Sequence, residues 1–183
     1  MEATLEQKYN YSVVRWFTIM SAVYLVVGAL VGVYIASELA WPILNFDSPY
    51  LSFGRLRPLH TNAVIFAFGG CILMGTAFYT VQRTCGVGLW SNRMAWFTFW
   101  GWNLIILSAV ITLPLGITQA KEYAELEWPI DIAIAVVWLS YMFNFVMTIV
   151  HRKSSHIYVS NWFFLGMMVM ITYLHVVNSL AIP

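Results

Sequence analysis

Five stretches of the chain carry no Asp, Glu, Lys or Arg: Trp16–Ser37, Pro58–Gln82, Met94–Ala120, Ile132–His151 and Ser154–Pro183. They run to 22, 25, 27, 20 and 30 residues. A helix crosses the bilayer core with about 20 apolar residues, so each stretch holds one span and none holds two. The runs do not alternate apolar and polar positions, as the roughly ten-residue segments of a membrane barrel do. The pattern predicts an all-α fold, a polytopic membrane helix bundle with five transmembrane helices. The first run exceeds the roughly 7–15 apolar residues of a signal peptide, and no small-x-small cleavage site follows it, so it reads as a retained span. No repeat, low-complexity tract or shift in composition divides the chain, and residues 1–183 read as a single membrane domain.

Composition narrows the classes further. Of 183 residues, 61% are hydrophobic and only 9% are charged, against roughly 25% charged in a soluble domain. That excludes a disordered chain, a soluble globular domain and a basic-patch nucleic-acid binder, and leaves membrane lipid as the surroundings. The net charge of +1 points to no electrostatic partner. Cys71 and Cys85 have neither a disulfide framework nor CxxC spacing.

Lys8, Arg15, Arg83, Arg93, Arg152 and Lys153 fall on one side of the predicted bundle, and Arg55, Arg57 and Lys121 on the other. The positive-inside rule then puts the N-terminus in the cytoplasm and the C-terminus in the periplasm. Trp41, Trp90, Trp96, Trp128 and Trp162 stand near span ends, as an interfacial aromatic belt should.

With charges marking the span limits, histidines are the only ionisable residues expected inside. An ionisable group there is a functional-site candidate by default. His60 follows Gly54-Arg-Leu-Arg-Pro-Leu, with Pro58 suited to the first turn of the second span and His60 about half a turn in. If the turn extends back through Arg57, the i, i+3 spacing puts Arg57 and His60 on one face. An imidazole in an apolar span suits axial ligation of haem iron, and arginine suits haem propionates. One haem would account for His60, Arg55 and Arg57 together. The alternative is an imidazole that bonds across helices and arginines that meet lipid head groups. His175 lies near the end of the fifth span. It could ligate, or hydrogen-bond Asn178 three residues on. His151 and His156 read as solvated loop residues beside Arg152 and Lys153. The loop Lys121-Glu-Tyr-Ala-Glu-Leu-Glu-Trp-Pro-Ile-Asp could bind a hard cation such as calcium, or be a solvated loop whose acids favour the fourth helix N-terminus. Gly28-Ala-Leu-Val-Gly32 matches the GxxxG packing motif, and Pro114 kinks or ends the third span.

The run Gly54-Arg-Leu-Arg-Pro-Leu-His60-Thr-Asn-Ala-Val-Ile-Phe-Ala-Phe-Gly-Gly resembles the second-helix motif of haem–copper oxidase subunit I, and more narrowly that of the cbb₃-type cytochrome c oxidases. Phe97-Thr-Phe-Trp-Gly-Trp, the acidic loop from Lys121, His156-Ile-Tyr-Val-Ser-Asn-Trp-Phe, Tyr11-Ser-Val-Val-Arg and Ala40-Trp-Pro resemble that family too. The resemblance covers nearly the whole chain. It implies part of the catalytic subunit of a proton-pumping terminal oxidase in the bacterial inner membrane, multi-pass, which reduces oxygen to water with electrons from cytochrome c. It implies that His60 is an axial ligand of low-spin haem b, that Arg55 and Arg57 lie beside its propionates, and that Glu122 is a calcium ligand. A high-spin haem b and a copper ion belong to the complete subunit, and their ligands, like the second haem b ligand, lie in later helices. No catalytic residue is therefore expected in this chain. The implied partners are the rest of subunit I, membrane-anchored c-type cytochrome subunits and cytochrome c. A different reading is a non-catalytic membrane haem b carrier or interaction subunit, from a split or truncated gene. On that reading His175 is the nearby candidate for a second haem ligand.

Overall fold

A computed structural model describes residues 9–121 and 123–180. Five helices in it are long and apolar enough to cross a membrane: α1 Tyr11–Ala40, α2 Phe53–Cys85, α3 Asn92–Leu115, α4 Trp128–Val150 and α5 Val159–Asn178. Helices suit an apolar solvent because each satisfies its own backbone N–H and C=O groups. Two short 3₁₀ turns, Pro42–Asn45 and Pro49–Leu51, join α1 to α2.

The helix limits depart from the charge-free runs in instructive ways. Helix α1 extends past both ends of its run and takes in Arg15 and Glu38. Exposed Arg15 stands at a helix end, where a long side chain can carry its charge out of the hydrocarbon, so charge there marks the hydrophobic limit and not the helical one. Helix α3 stops at Leu115 rather than running to Ala120, because Gly116 turns left-handed at φ 77° two residues after Pro114. Pro58 is not in the first turn of α2: the helix begins five residues earlier, at Phe53. Pro58 lacks an N–H for the carbonyl of Gly54, which is exposed and open to other partners.

Helix α2 is the centre of the bundle and touches all four others. It is not uniform. Residues Ala63–Gly69 form a π-helical segment between α-helical parts Phe53–Asn62 and Gly70–Cys85. Neighbouring helices supply donors to this segment. Trp102 Nε1 of α3 donates to the Phe66 carbonyl at 3.2 Å, and Ser21 Oγ of α1 donates to the Phe68 carbonyl at 3.3 Å. Irregular backbone at this depth is stabilised where such side chains bond its carbonyls.

The core is aromatic. Phe17 meets Phe99 edge-on with ring centres 5.1 Å apart, and Phe78 and Trp138 meet Tyr141 in the same way at 5.2 and 5.3 Å. Small residues let the helices approach: a side chain at Gly75 would strike Phe17 of α1, and one at Gly101 would strike Val137 of α4. Outward faces carry Val26, Leu30, Val33, Trp100, Leu104 and Phe163, all exposed. Helices α1 and α5 are the least enclosed. Only Asn161 and Met168 of α5 are buried.

The end of the bundle that holds Arg83 and Arg152 is tied by polar side chains. Asn10 caps α1 through Val13 N at 3.2 Å, takes its own N–H to Gln82 of α2, and donates Nδ2 to Asn92 of α3 at 2.9 Å. Asn144 of α4 grips Ser91 from both sides, accepting from its N–H and donating to its carbonyl, each at 3.0 Å. Replacing Asn144 with leucine strands the Ser91 N–H, while the Ser91 carbonyl keeps the Ala95 N–H, at a cost of about 1–3 kcal/mol. Thermal unfolding in detergent should show that loss, whereas a conservative replacement at exposed Leu139 should leave stability unchanged.

Candidate cofactor site around His60

His60 lies about two turns into α2, deeper than the half turn that the sequence pattern predicts. It is half-buried and faces α1. Its Nδ1 stands 2.8 Å from the Gly28 carbonyl oxygen. A carbonyl only accepts, so Nδ1 carries the proton, and in the neutral ring the lone pair lies on Nε2. Among the described residues Nε2 makes no hydrogen bond. This is the usual state of a metal-ligating histidine, whose other ring nitrogen donates to a carbonyl or carboxylate that fixes ring and tautomer.

Because α2 is helical from Phe53, Arg57 and His60 do share a face at i, i+3 spacing. Arg57 is half-buried. Arg55 turns elsewhere. Its Nη1 donates to the Pro114 carbonyl at 3.0 Å, and its guanidinium lies so close over Gly116 that no side chain could stand there. It therefore meets the C-terminal turn of α3, where the helix dipole favours a cation. Only one of its five N–H groups is spent in that contact.

Glu122 lies outside the described residues. Its loop is solvated only in part, with Tyr123 exposed and the next three residues enclosed. Ala124, Glu125 and Leu126 are buried, and the Glu125 carbonyl accepts from Gln119 N and Thr118 Oγ1, both at 2.8 Å. Asp131 sits in the first turn of α4, yet only 2% of it is exposed. Glu38 of α1 is similarly enclosed, at 6%. The expectation that histidines are the only ionisable residues within the spans is thus corrected: α1 and α4 each bury a carboxylate, because both helices outrun their charge-free stretches.

His175 does not bond Asn178. Its Nε2 donates to the Asp131 carbonyl at 2.9 Å. Both residues line a cavity of about 290 Å³ between α2, α3, α4 and α5, which is otherwise mainly apolar. Asn62, two residues past His60, reaches this cavity, but His60 is not among its walls. His175 and His60 thus serve different faces of the bundle. Among the described residues no three His, Cys, Asp or Glu side chains gather where a metal ion could sit.

Two residues of the site have a role that the sequence pattern does not disclose. Gly28 and Gly32 are legible as a GxxxG match, a helix-packing signal. Gly28 packs against Ala63 and Val64 of α2, as that signal predicts, and also turns its carbonyl to the ring; Gly32 admits the His60 ring itself, since a Cβ there would come within 2.6 Å of His60 Cε1.

The fold and site are those of a polytopic membrane bundle with one ligand-ready histidine in its central helix. The chain belongs to the cytochrome c and quinol oxidase polypeptide I family, whose model matches residues 12–183. It is 58% identical over its full length to the Cbb3-type cytochrome c oxidase subunit CcoN1 of Stutzerimonas stutzeri, of which it covers 39%. It is 51% identical over 97% of its length to cytochrome c oxidase subunit 1 of Rhodobacter capsulatus, covering 34% of that protein. A cytochrome c oxidase subunit 1 homolog of Agrobacterium tumefaciens (strain T37) is 51% identical over 96% of this chain, with 32% of the relative covered. The chain thus spans well under half the length of these relatives.

Proposed function

We propose that this chain is the N-terminal portion of subunit I of a cbb₃-type cytochrome c oxidase, in which His60 is an axial ligand of low-spin haem b. The complete enzyme would draw electrons from cytochrome c, reduce oxygen to water and pump protons in the bacterial inner membrane. The observation that carries the reading is the His60 ring. Its Nδ1 proton is held by the Gly28 carbonyl, which leaves the Nε2 lone pair for iron. Bound haem would supply one-electron transfer. The chain's residues would hold and orient it: His60 from one face, Arg57 through a propionate, and Arg55 through the N–H groups that Pro114 does not take. The second axial ligand, the copper ligands and the high-spin haem ligand would come from other parts of the subunit. The positive-inside rule favours an N-terminus in the cytoplasm, which places His60, Arg55 and Arg57 toward the periplasm. Glu122, in the acidic loop, is our candidate calcium ligand.

A redox titration of the complete oxidase tests the propionate assignment. A cation beside the haem stabilises its reduced form, which carries one positive charge fewer. Arg57→Leu should therefore lower the haem b midpoint potential. An unchanged potential in an assembled variant would remove Arg57 from the site.

A further inference from the structure

We propose that the Gly28 carbonyl and the vacant side-chain position of Gly32 form a positioning element that sets the His60 tautomer and its strength as a ligand. The proposal rests on His60 being the haem b ligand and goes one step further, to what tunes it. Phe17, Ser21, Gly28 and Ile35 are all buried, at helical spacing, on one stripe of α1, and Gly32 completes it. Each small residue of the stripe meets a specific group of α2. Ser21 bonds the Phe68 carbonyl in the π-helical segment. Gly28 lies where a Cβ would meet Val64 Cγ2 at 3.0 Å and Ala63 Cβ at 3.3 Å, so glycine lets α1 and its carbonyl come close to α2 without displacing those methyl groups. In the helical pattern the Gly28 carbonyl also accepts the Gly32 N–H, and its second lone pair serves Nδ1. A Cβ on Gly32 would stand 2.6 Å from His60 Cε1 and 3.0 Å from Nδ1. The imidazole fills the place of a side chain on α1.

This is more than packing. A hydrogen bond from the distal ring nitrogen raises the basicity of a metal-ligating imidazole and holds its orientation. A methyl group on Gly32 pushes the ring away from α1 and stretches the bond to Gly28. The weakened donor then favours the reduced haem. In the complete oxidase, Gly32→Ala should raise the reduced-to-oxidised ratio of haem b about tenfold at a fixed ambient potential, which is about 59 mV for one electron. Gly166, where an added Cβ would meet nothing within 4 Å, is the control: Gly166→Ala should leave the ratio unchanged. If Gly32→Ala assembles and its haem b potential and low-spin spectrum match those of Gly166→Ala, the positioning role is wrong. That failure is separate from failure of the ligand assignment, which shows as low-spin haem b surviving His60→Ala. Should Gly32→Ala not assemble, the unaltered oxidase decides. Its reduced-minus-oxidised infrared spectrum, with ¹⁵N-labelled histidine, should carry the ring mode of a hydrogen-bonded Nδ1–H. A ligand ring without that bond would overturn the proposal.

Discussion

Replacing His60 with alanine in the complete oxidase should abolish the low-spin haem b signal while leaving the subunit in the membrane. Among the described residues the imidazole makes one hydrogen bond, to Gly28, and a bond of that kind contributes about 1 kcal/mol net. His60 is half-buried within this chain. On the proposed assignment the chemical effect is far larger, because a six-coordinate haem does not form without one of its two axial ligands. Reduced-minus-oxidised spectra should show the low-spin band gone or converted to a five-coordinate form. Electron transfer from cytochrome c should stop with it. Retention of membrane-inserted subunit, read by immunoblot, separates this outcome from misfolding.

The second large effect lies in the core. Tyr141 is fully buried at the meeting of Phe78 and Trp138. Tyr141→Ala removes a whole ring from the packed interior and should cost about 3–5 kcal/mol, as large aromatic deletions do. Its hydroxyl behaves differently. The Oη atom is buried and has no hydrogen-bond partner among the described residues, and an unmet polar group of this kind is itself destabilising by about 1–3 kcal/mol. Tyr141→Phe should therefore leave the thermal midpoint unchanged or raise it, whereas Tyr141→Ala should lower it sharply. Equal losses from both would mean that the hydroxyl has a partner.

Hydropathy made the number and order of the helices legible, because the cost of placing charge in hydrocarbon is large enough to leave a mark along the chain. The same signal misjudged helix ends. Arg15 and Glu38 are helical although charged, and residues 117–120 are not helical although uncharged. Of the site, His60 was legible because an ionisable residue in an apolar run is conspicuous, and the Arg57 register followed from helical spacing. Contacts between distant parts of the chain were not legible. No local pattern indicates that Arg55 reaches Pro114, that His175 bonds the Asp131 carbonyl, or that Gly32 admits an imidazole while the Gly28 carbonyl bonds it. The π-helical segment belongs with these: its Phe68 and Phe66 carbonyls are met by Ser21 and Trp102, which lie 47 and 36 residues away in sequence.

The most direct test of the central claim is chemical rescue at position 60. The complete oxidase with His60→Gly should lack the low-spin haem b spectrum, and added imidazole should restore it by occupying the vacated ligand position. A low-spin haem b spectrum in His60→Gly without imidazole would contradict the assignment of His60 as the axial ligand.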